Sequence, residues 1–347
     1  MTAGFSQKHV FITGATGSVG LMLARRLSAA GQKVRAIVRD PLASAPDGSG
    51  ASRSAALSSL PGVEVVKGDL SQPEGLRGLM RGCGLVYHIA AKVQGSDRAA
   101  YQAINVAGTK AILNEAITAG VDRFVYISTI GVYGMVHGQD LTEDAPWLAS
   151  DWRTSRSPYI ATKQEAERLV WTAGLRMPVT VARPGDIYGP QQYAWTVQFI
   201  EKINQGQLMP PTDAASGLFN LIYIDNLVDA LLLLGSHPQA VGQAFNVVDG
   251  APMPVSDYIR AIASMAGKHP PAVPALFLRA AAAVLMAADR IRGREAMVTP
   301  NSMDFLLHKW TISGAKLRSM LGWSPAVGRE EAFHRIAAWL HSAGYIQ

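Results

Sequence analysis

Cysteine is almost missing from this chain. Cys83 is the only one in 347 residues, so no disulfide can close within it, and the composition suits a reducing cytosol. Long hydrophobic runs are missing as well. The most apolar late stretch, AVPALFLRAAAAVLMAAD at 272–289, is interrupted by Pro274 and Arg279 and makes a poor membrane-spanning helix. Burial in a substrate-binding lobe is the expected reading of that stretch, with a membrane-surface helix as the lesser one. No dense Lys/Arg run occurs, and RIRGR at 290–294 is short, so nucleic acid is not an expected partner. Residues 1–7 are polar and a strand-like run starts at His9; this leaves no room for a signal peptide, and a cytoplasmic location is expected.

What is present is apolar material. Hydrophobic residues make up 48% and charged residues 17%, enough for a core and too little charge for global disorder. The net charge of +6 fits an anionic ligand such as a dinucleotide, or solubility alone. The length fits one nucleotide-binding domain with a smaller appended lobe.

The first two-thirds alternate β-branched runs with helical stretches. HVFIT (9–13), KVRAIV (33–38), VEVVKG (63–68), GLVYHI (84–89) and RFVYIS (123–128) read as strands, with a helix near 18–30 after the first. Buried runs of this kind predict an α/β fold, a Rossmann doubly wound parallel sheet. The stretch at 40–60, rich in Ser, Ala, Gly and Pro, is expected to be a mobile surface loop. After PVTVAR (178–183) come a strand near 219–224 running into a helix at about Asn226, a strand AFNVV (244–248), and a mostly helical remainder from about 254. The expected division is 1–183 plus 217–250 as the nucleotide-binding domain. Segments 184–216 and 251–347 form a mostly helical substrate lobe over the carboxyl edge of the sheet.

TGATGSVG (13–20) places glycines at 14, 17 and 20 between a strand and a helix. Gly14 permits a tight turn, Gly17 the close approach of a pyrophosphate, and Gly20 the packing of helix on strand. The helix amino end supplies N–H donors and a positive dipole. Thr16, Ser18 and Val19 join Gly14 and Gly17 as candidate cofactor-binding residues. At the end of the second strand, Val38 occupies the slot where an NAD site carries a carboxylate, and Arg39 follows it. A guanidinium there can clasp a 2′-phosphate, so NADP is preferred over NAD. Asp40 complicates this, because a shift of one residue would put it on the ribose. Asp69 and Leu70, in KGDL, suit either an adenine site or a plain helix cap.

Tyr159 and Lys163 form Y-x-x-x-K in SPYIATKQEAERLV, a helix with Pro158 in its first turn. The spacing puts both side chains on one face. A free phenol titrates near about 10, too high for an efficient proton carrier at neutral pH, and a neighbouring ammonium lowers it. The pattern alone is common by chance. Ser128 and Thr129, ending the fifth strand at the carboxyl edge, add a hydroxyl that can bond a substrate oxygen as charge develops on it. Thr129 is the candidate third catalytic residue, with Ser128 in support. No metal site is expected.

Together these residues resemble the extended short-chain dehydrogenases/reductases, the NAD-dependent epimerase/dehydratase superfamily. The resemblance runs through TGATGSVG, GDL (68–70), HIAA (88–91), NVAGT (105–109), YISTIGVYG (126–134), PYIATK (158–163), RPGDIYGP (183–190), YIDNLVDA (223–230) and GQAFNVVDG (242–250). It implies that Thr129, Tyr159 and Lys163 act together. It also implies that Ala90 and Ala91 border the cofactor, that Pro184 lies against the nicotinamide carboxamide, and that Asn105 is a structural bond maker. Extended members are commonly homodimers, joined by helices corresponding to about 98–119 and 158–173. VRAIVRDP (34–41) and YIDNL are similar to 3β-hydroxysteroid dehydrogenase-like and dihydroflavonol reductase-like enzymes. Nucleotide-sugar members often carry an Arg where Phe219 stands. The expected function is therefore interconversion of a secondary alcohol and a ketone on a mainly apolar molecule. The alternative is a nucleotide-sugar epimerase or dehydratase with tightly bound NAD.

Overall fold

Continuous runs of β-branched and aromatic residues, apolar at every position, call for burial on both faces of a sheet. The computed structural model, which describes residues 8–41, 53–134, 138–148, 157–291 and 306–347, builds them into one parallel sheet. Its strands in chain order are β1 His9–Thr13, β2 Val34–Val38, β3 Val63–Lys67, β4 Cys83–His88, β5 Arg123–Ile127, β6 Val179–Pro184 and β7 Ala244–Val247. Their spatial order is β3-β2-β1-β4-β5-β6-β7. The chain moves outward from β1 to β3, then returns to β4 on the other side of β1. Connections diverge at that point, and a crevice opens at the strand carboxyl ends.

Alternate side chains along each strand serve opposite faces. Val10 and Ile12 pack with helices α1 Ser18–Ala29 and, further along the chain, Ile224–Ser236. Phe11, Val86 and Phe124 pack on the other face with helices Thr109–Ala119 and Pro158–Ala173. Cys83 opens β4 in this second layer, buried, with Arg35 Nη1 3.9 Å from its sulfur.

Three expectations from the sequence are corrected. Within the supposed loop at 40–60, Arg53–Ser58 is a helix, α2, with Leu57 fully buried and Ser54 Oγ donating to the Asp40 carbonyl. Its Ser and Ala suggested a loop by composition, but RSAALS carries helix-tolerant residues and one core anchor; residues 42–52 lie outside the described residues. The strand near 219–224 is two short ones, Leu218–Phe219 and Leu221–Tyr223, broken at Asn220, and the helix after them starts at Ile224. Asn220 sits at the break because its side-chain amide accepts from Ile312 N and donates to Trp310 O, while its backbone N and O bond Asp186.

The third correction concerns the apolar stretch at 272–289. It forms the helix Ala275–Ile291, but Leu276, Phe277 and Val284 are 76%, 63% and 68% exposed. Inward burial follows a narrow stripe that includes Ala282, and alanine offers little surface to bury. Arg292 to Arg294 of RIRGR lie outside the described residues. Among the described residues no helix is long and apolar enough to cross a membrane.

The segments after β6 and β7 share an aromatic cluster. The Phe219 ring lies 5.2 Å from Trp195, tilted, and 5.3 Å from Tyr258, edge to face, centroid to centroid, with Phe199 beside them. Ala315–Leu321 instead rests on the outer strand β7, where Lys316 Nζ lies 5.3 Å from the Phe245 ring.

Candidate functional site

The turn after β1 is held by sterics. Gly14 has φ +72°, and a Cβ there would stand 2.8 Å from Ala90 N; a Cβ on Gly20 would stand 2.2 Å from Gly14 O. Any side chain at either position would push β1, α1 and the β4 end apart. Gly17 caps α1 in extended backbone, so the helix amino end faces the crevice with free N–H groups.

A buried relay fixes the opposite wall. Thr109 Oγ1 donates to Asn105 O at 2.6 Å and accepts from His88 Nε2 at 2.8 Å. His88 Nδ1 therefore accepts from Thr13 Oγ1 at 2.7 Å, and Thr13 in turn accepts from Ile89 N and Ala90 N. Burial first, and the Lys163 charge second, pull the imidazole down to about 3, so it is neutral. Asn105 holds Lys92 N and O and Thr162 Oγ1, the structural role its motif implied.

At the β2 end, Arg39 and Asp40 are both exposed, and Arg39 borders the crevice. Arg53 from α2 adds a second guanidinium, with Nη1 3.2 Å from Thr16 O. Asp69 uses one carboxylate oxygen to hold Ser71 N and Oγ in a turn, while Leu70 lies beside it at the crevice wall.

Ser157 caps the helix Pro158–Ala173 and Pro158 opens it, which aims Tyr159 and Lys163 inward. Thr129 Oγ1 accepts from Gly131 N and hydrogen-bonds the Tyr159 phenol. Burial pushes the phenol up to about 12, and the Thr129 bond opposes that shift. The ammonium of Lys163 points to Ile127 O at 2.7 Å and over the Tyr126 ring at 4.1 Å. Burial pulls it down to about 7 and the Glu167 carboxylate opposes this. In the protein alone the lysine is thus turned to the strand rather than acting on the phenol. Ser128 has its hydroxyl on Glu167 at 2.5 Å, leaving Thr129 as the hydroxyl beside the tyrosine. Glu167 is itself paired with Arg183, both buried, and Arg183 reaches Tyr133 Oη at 2.9 Å.

The catalytic and cofactor-binding candidates from the sequence all border one cleft of about 1050 Å³, whereas Asp40 and Asn105 do not line it. Sequence reasoning missed His88, Arg53, Glu167, Asp186 and Gln192. Glu167 had a readable signal, being one turn beyond Lys163; the others depend on contacts between distant segments. Asp186 is 5% exposed and borders the cleft; one oxygen accepts from Asn220 N, and burial pushes the carboxyl up to about 7. No cluster of His, Cys, Asp or Glu able to hold a metal occurs among the described residues.

The glycine cradle, the open helix end and the Tyr–Lys–Thr group fit a nicotinamide dinucleotide, and they define an enzyme of the extended short-chain dehydrogenase/reductase type. The chain belongs to the NAD dependent epimerase/dehydratase family, whose model matches residues 10–248. It is similar to UDP-glucose 4-epimerase of Vibrio cholerae, 25% identical over 95% of this chain and 94% of that protein. It is also similar to 2-alkyl-3-oxoalkanoate reductase of Shewanella oneidensis, 28% identical over 96% and 86%. Among solved structures, dTDP-glucose 4,6-dehydratase of Streptomyces venezuelae, with NAD bound, shares the fold. Its TM-score is 0.75 at 20% identity, over 98% of this chain and 99% of that one.

Proposed function

We propose that this protein is an NADP-preferring oxidoreductase that interconverts a secondary alcohol and a ketone on a mainly apolar molecule. The observation that carries the reading is the cleft lining contributed from the end of β6 onward. It consists of Pro184, Gly185, Asp186, Ile187, Gln192, Ala194, Trp195 and Trp310, with no cation among the described residues there. A nucleoside diphosphate would need charge-assisted donors in that wall. Phe219, where a phosphate-binding Arg was the alternative, is fully buried in the aromatic cluster instead. The reductase relative, whose name specifies a 3-oxo group on an alkyl acid, supports the same substrate class.

A bound nicotinamide supplies or accepts the hydride at the substrate carbon. Tyr159 gives or takes the proton at the substrate oxygen, and Thr129 donates to that oxygen as negative charge gathers on it. Lys163, released from Ile127 O, contributes the positive charge that brings the phenol toward neutral pH. Glu167 keeps that ammonium and Ser128 in place. In this reading 184–216 and 251–347 form the substrate lobe, the protein is a homodimer, and Arg39 with Arg53 holds the 2′-phosphate.

Purified protein mixed with NADPH and a panel of lipophilic ketones tests the reading, with oxidation followed by absorbance. Turnover of at least one ketone is expected. No oxidation across the panel, together with saturable UDP-glucose binding, transfers the site to the nucleotide-sugar alternative favoured by the Vibrio relative. Arg39→Ala is expected to weaken NADPH far more than NADH; equal weakening removes Arg39 from the phosphate.

A further inference from the structure

Beside the amino end of α1 lies a buried carboxamide that uses its oxygen but, among the described residues, not its nitrogen. Ser18 Oγ donates to Gln192 Oε1 at 3.1 Å, across 174 residues of chain. Gln192 is 7% exposed, and its Nε2 is enclosed with no hydrogen-bond partner among the described residues. Both residues border the cleft. A carboxamide nitrogen carries two donors, and leaving them unmade in a buried place is unfavourable enough to be rare.

The backbone is bent to deliver this side chain. Gln191 sits at φ +62°, a left-handed conformation that residues with a Cβ seldom adopt. The Gln192 carbonyl then accepts from Thr196 N and Val197 N, each at 3.0 Å, so the main chain is anchored while the amide nitrogen stays unspent. Ser18 is the first residue of α1, where backbone donors and the helix dipole favour a phosphate.

We infer that the Gln192 amide, pivoting about the Ser18 bond to Oε1, turns its Nε2 out of the enclosed position and donates it to the pyrophosphate of the bound dinucleotide. This rests on the dinucleotide reading above. The residue belongs to the segment that otherwise lines the substrate side, so the pyrophosphate would bridge that segment and α1, which the Ser18 bond already ties together. Because NADPH and NADH share the pyrophosphate, Gln192 acts on both alike, unlike Arg39.

The test is a fluorescence titration of the whole protein with NADPH, NADH and 2′-phospho-ADP-ribose, which keeps the pyrophosphate but lacks nicotinamide. Gln192→Leu is expected to raise all three dissociation constants by a common factor, about tenfold for a lost bond to a charged group. The melting temperature of the variant without nucleotide checks folding alone, because leucine removes the Ser18 bond together with the unmade donor. Gln192→Glu, which keeps an oxygen for Ser18 and turns a carboxylate toward the phosphates, should weaken binding further and serves if the leucine variant does not fold. Unaltered constants in a folded variant overturn the inference. So does a loss for NADPH and NADH without one for 2′-phospho-ADP-ribose. Wild-type protein that binds none of the three ligands sinks the dinucleotide reading itself, a separate outcome.

Discussion

Tyr159 holds its proton tightly in the protein alone, because enclosure opposes the phenolate and Thr129 offsets only part of that. In the proposed mechanism the reacting state adds positive charge nearby, supplied by Lys163 once it leaves Ile127 O. Tyr159→Phe should lower turnover by about 10²-fold or more, the scale of lost acid–base help, with cofactor dissociation constants nearly intact. Full turnover in that variant would take the tyrosine out of the chemistry. Asp186 makes a pH prediction at the same scale. Its folded carboxyl titrates near 7, above the usual carboxylate range, so the folded state retains a proton that the unfolded chain releases. Stability from this group is complete in acid and declines as pH rises through that window, by a few kcal/mol at most. His88 acts oppositely: its folded value near 3 means stability is lost as pH falls below its ordinary value. Comparing Asp186→Asn with wild type by urea unfolding at several pH values cancels the histidine. The variant should gain relative stability from acid to neutral pH, and a flat difference would refute the assigned carboxyl.

Among the elements, those whose signal is local were readable in advance. The glycine turn, the Pro158 helix start and the strands of the sheet follow from residues adjacent in sequence. The relay through Thr13, His88 and Thr109 was not readable, since it joins β1, β4 and the helix Thr109–Ala119. Nor was the orientation of Ser128, whose neighbour Glu167 lies 39 positions away. The helix Ala275–Ile291 misled for the opposite reason: its composition is apolar, but alanine gives it no broad face to bury. Leu276→Ser and Phe277→Ser should each shift unfolding free energy by no more than about 0.5 kcal/mol, as exposed sites do. A cost of several kcal/mol, measured by denaturant unfolding, would return that helix to the core.

For the molecule as a whole, the seven parallel strands depend on β1 and β4 staying together, because the glycine turn and the neutral His88 relay both bridge them. The lone thiol lies at the start of β4, at the strand end away from the cleft, and burial pushes its ionisation upward. That placement gives the protein a built-in reporter. A thiol-reactive dye can mark this chain at one atom alone, and that atom becomes reachable when the middle of the sheet parts. Labelling should therefore be slow in buffer, quicken through the unfolding transition, and slow further with saturating NADPH. Rapid labelling of native protein would mean that the two strands separate far more often than their burial implies.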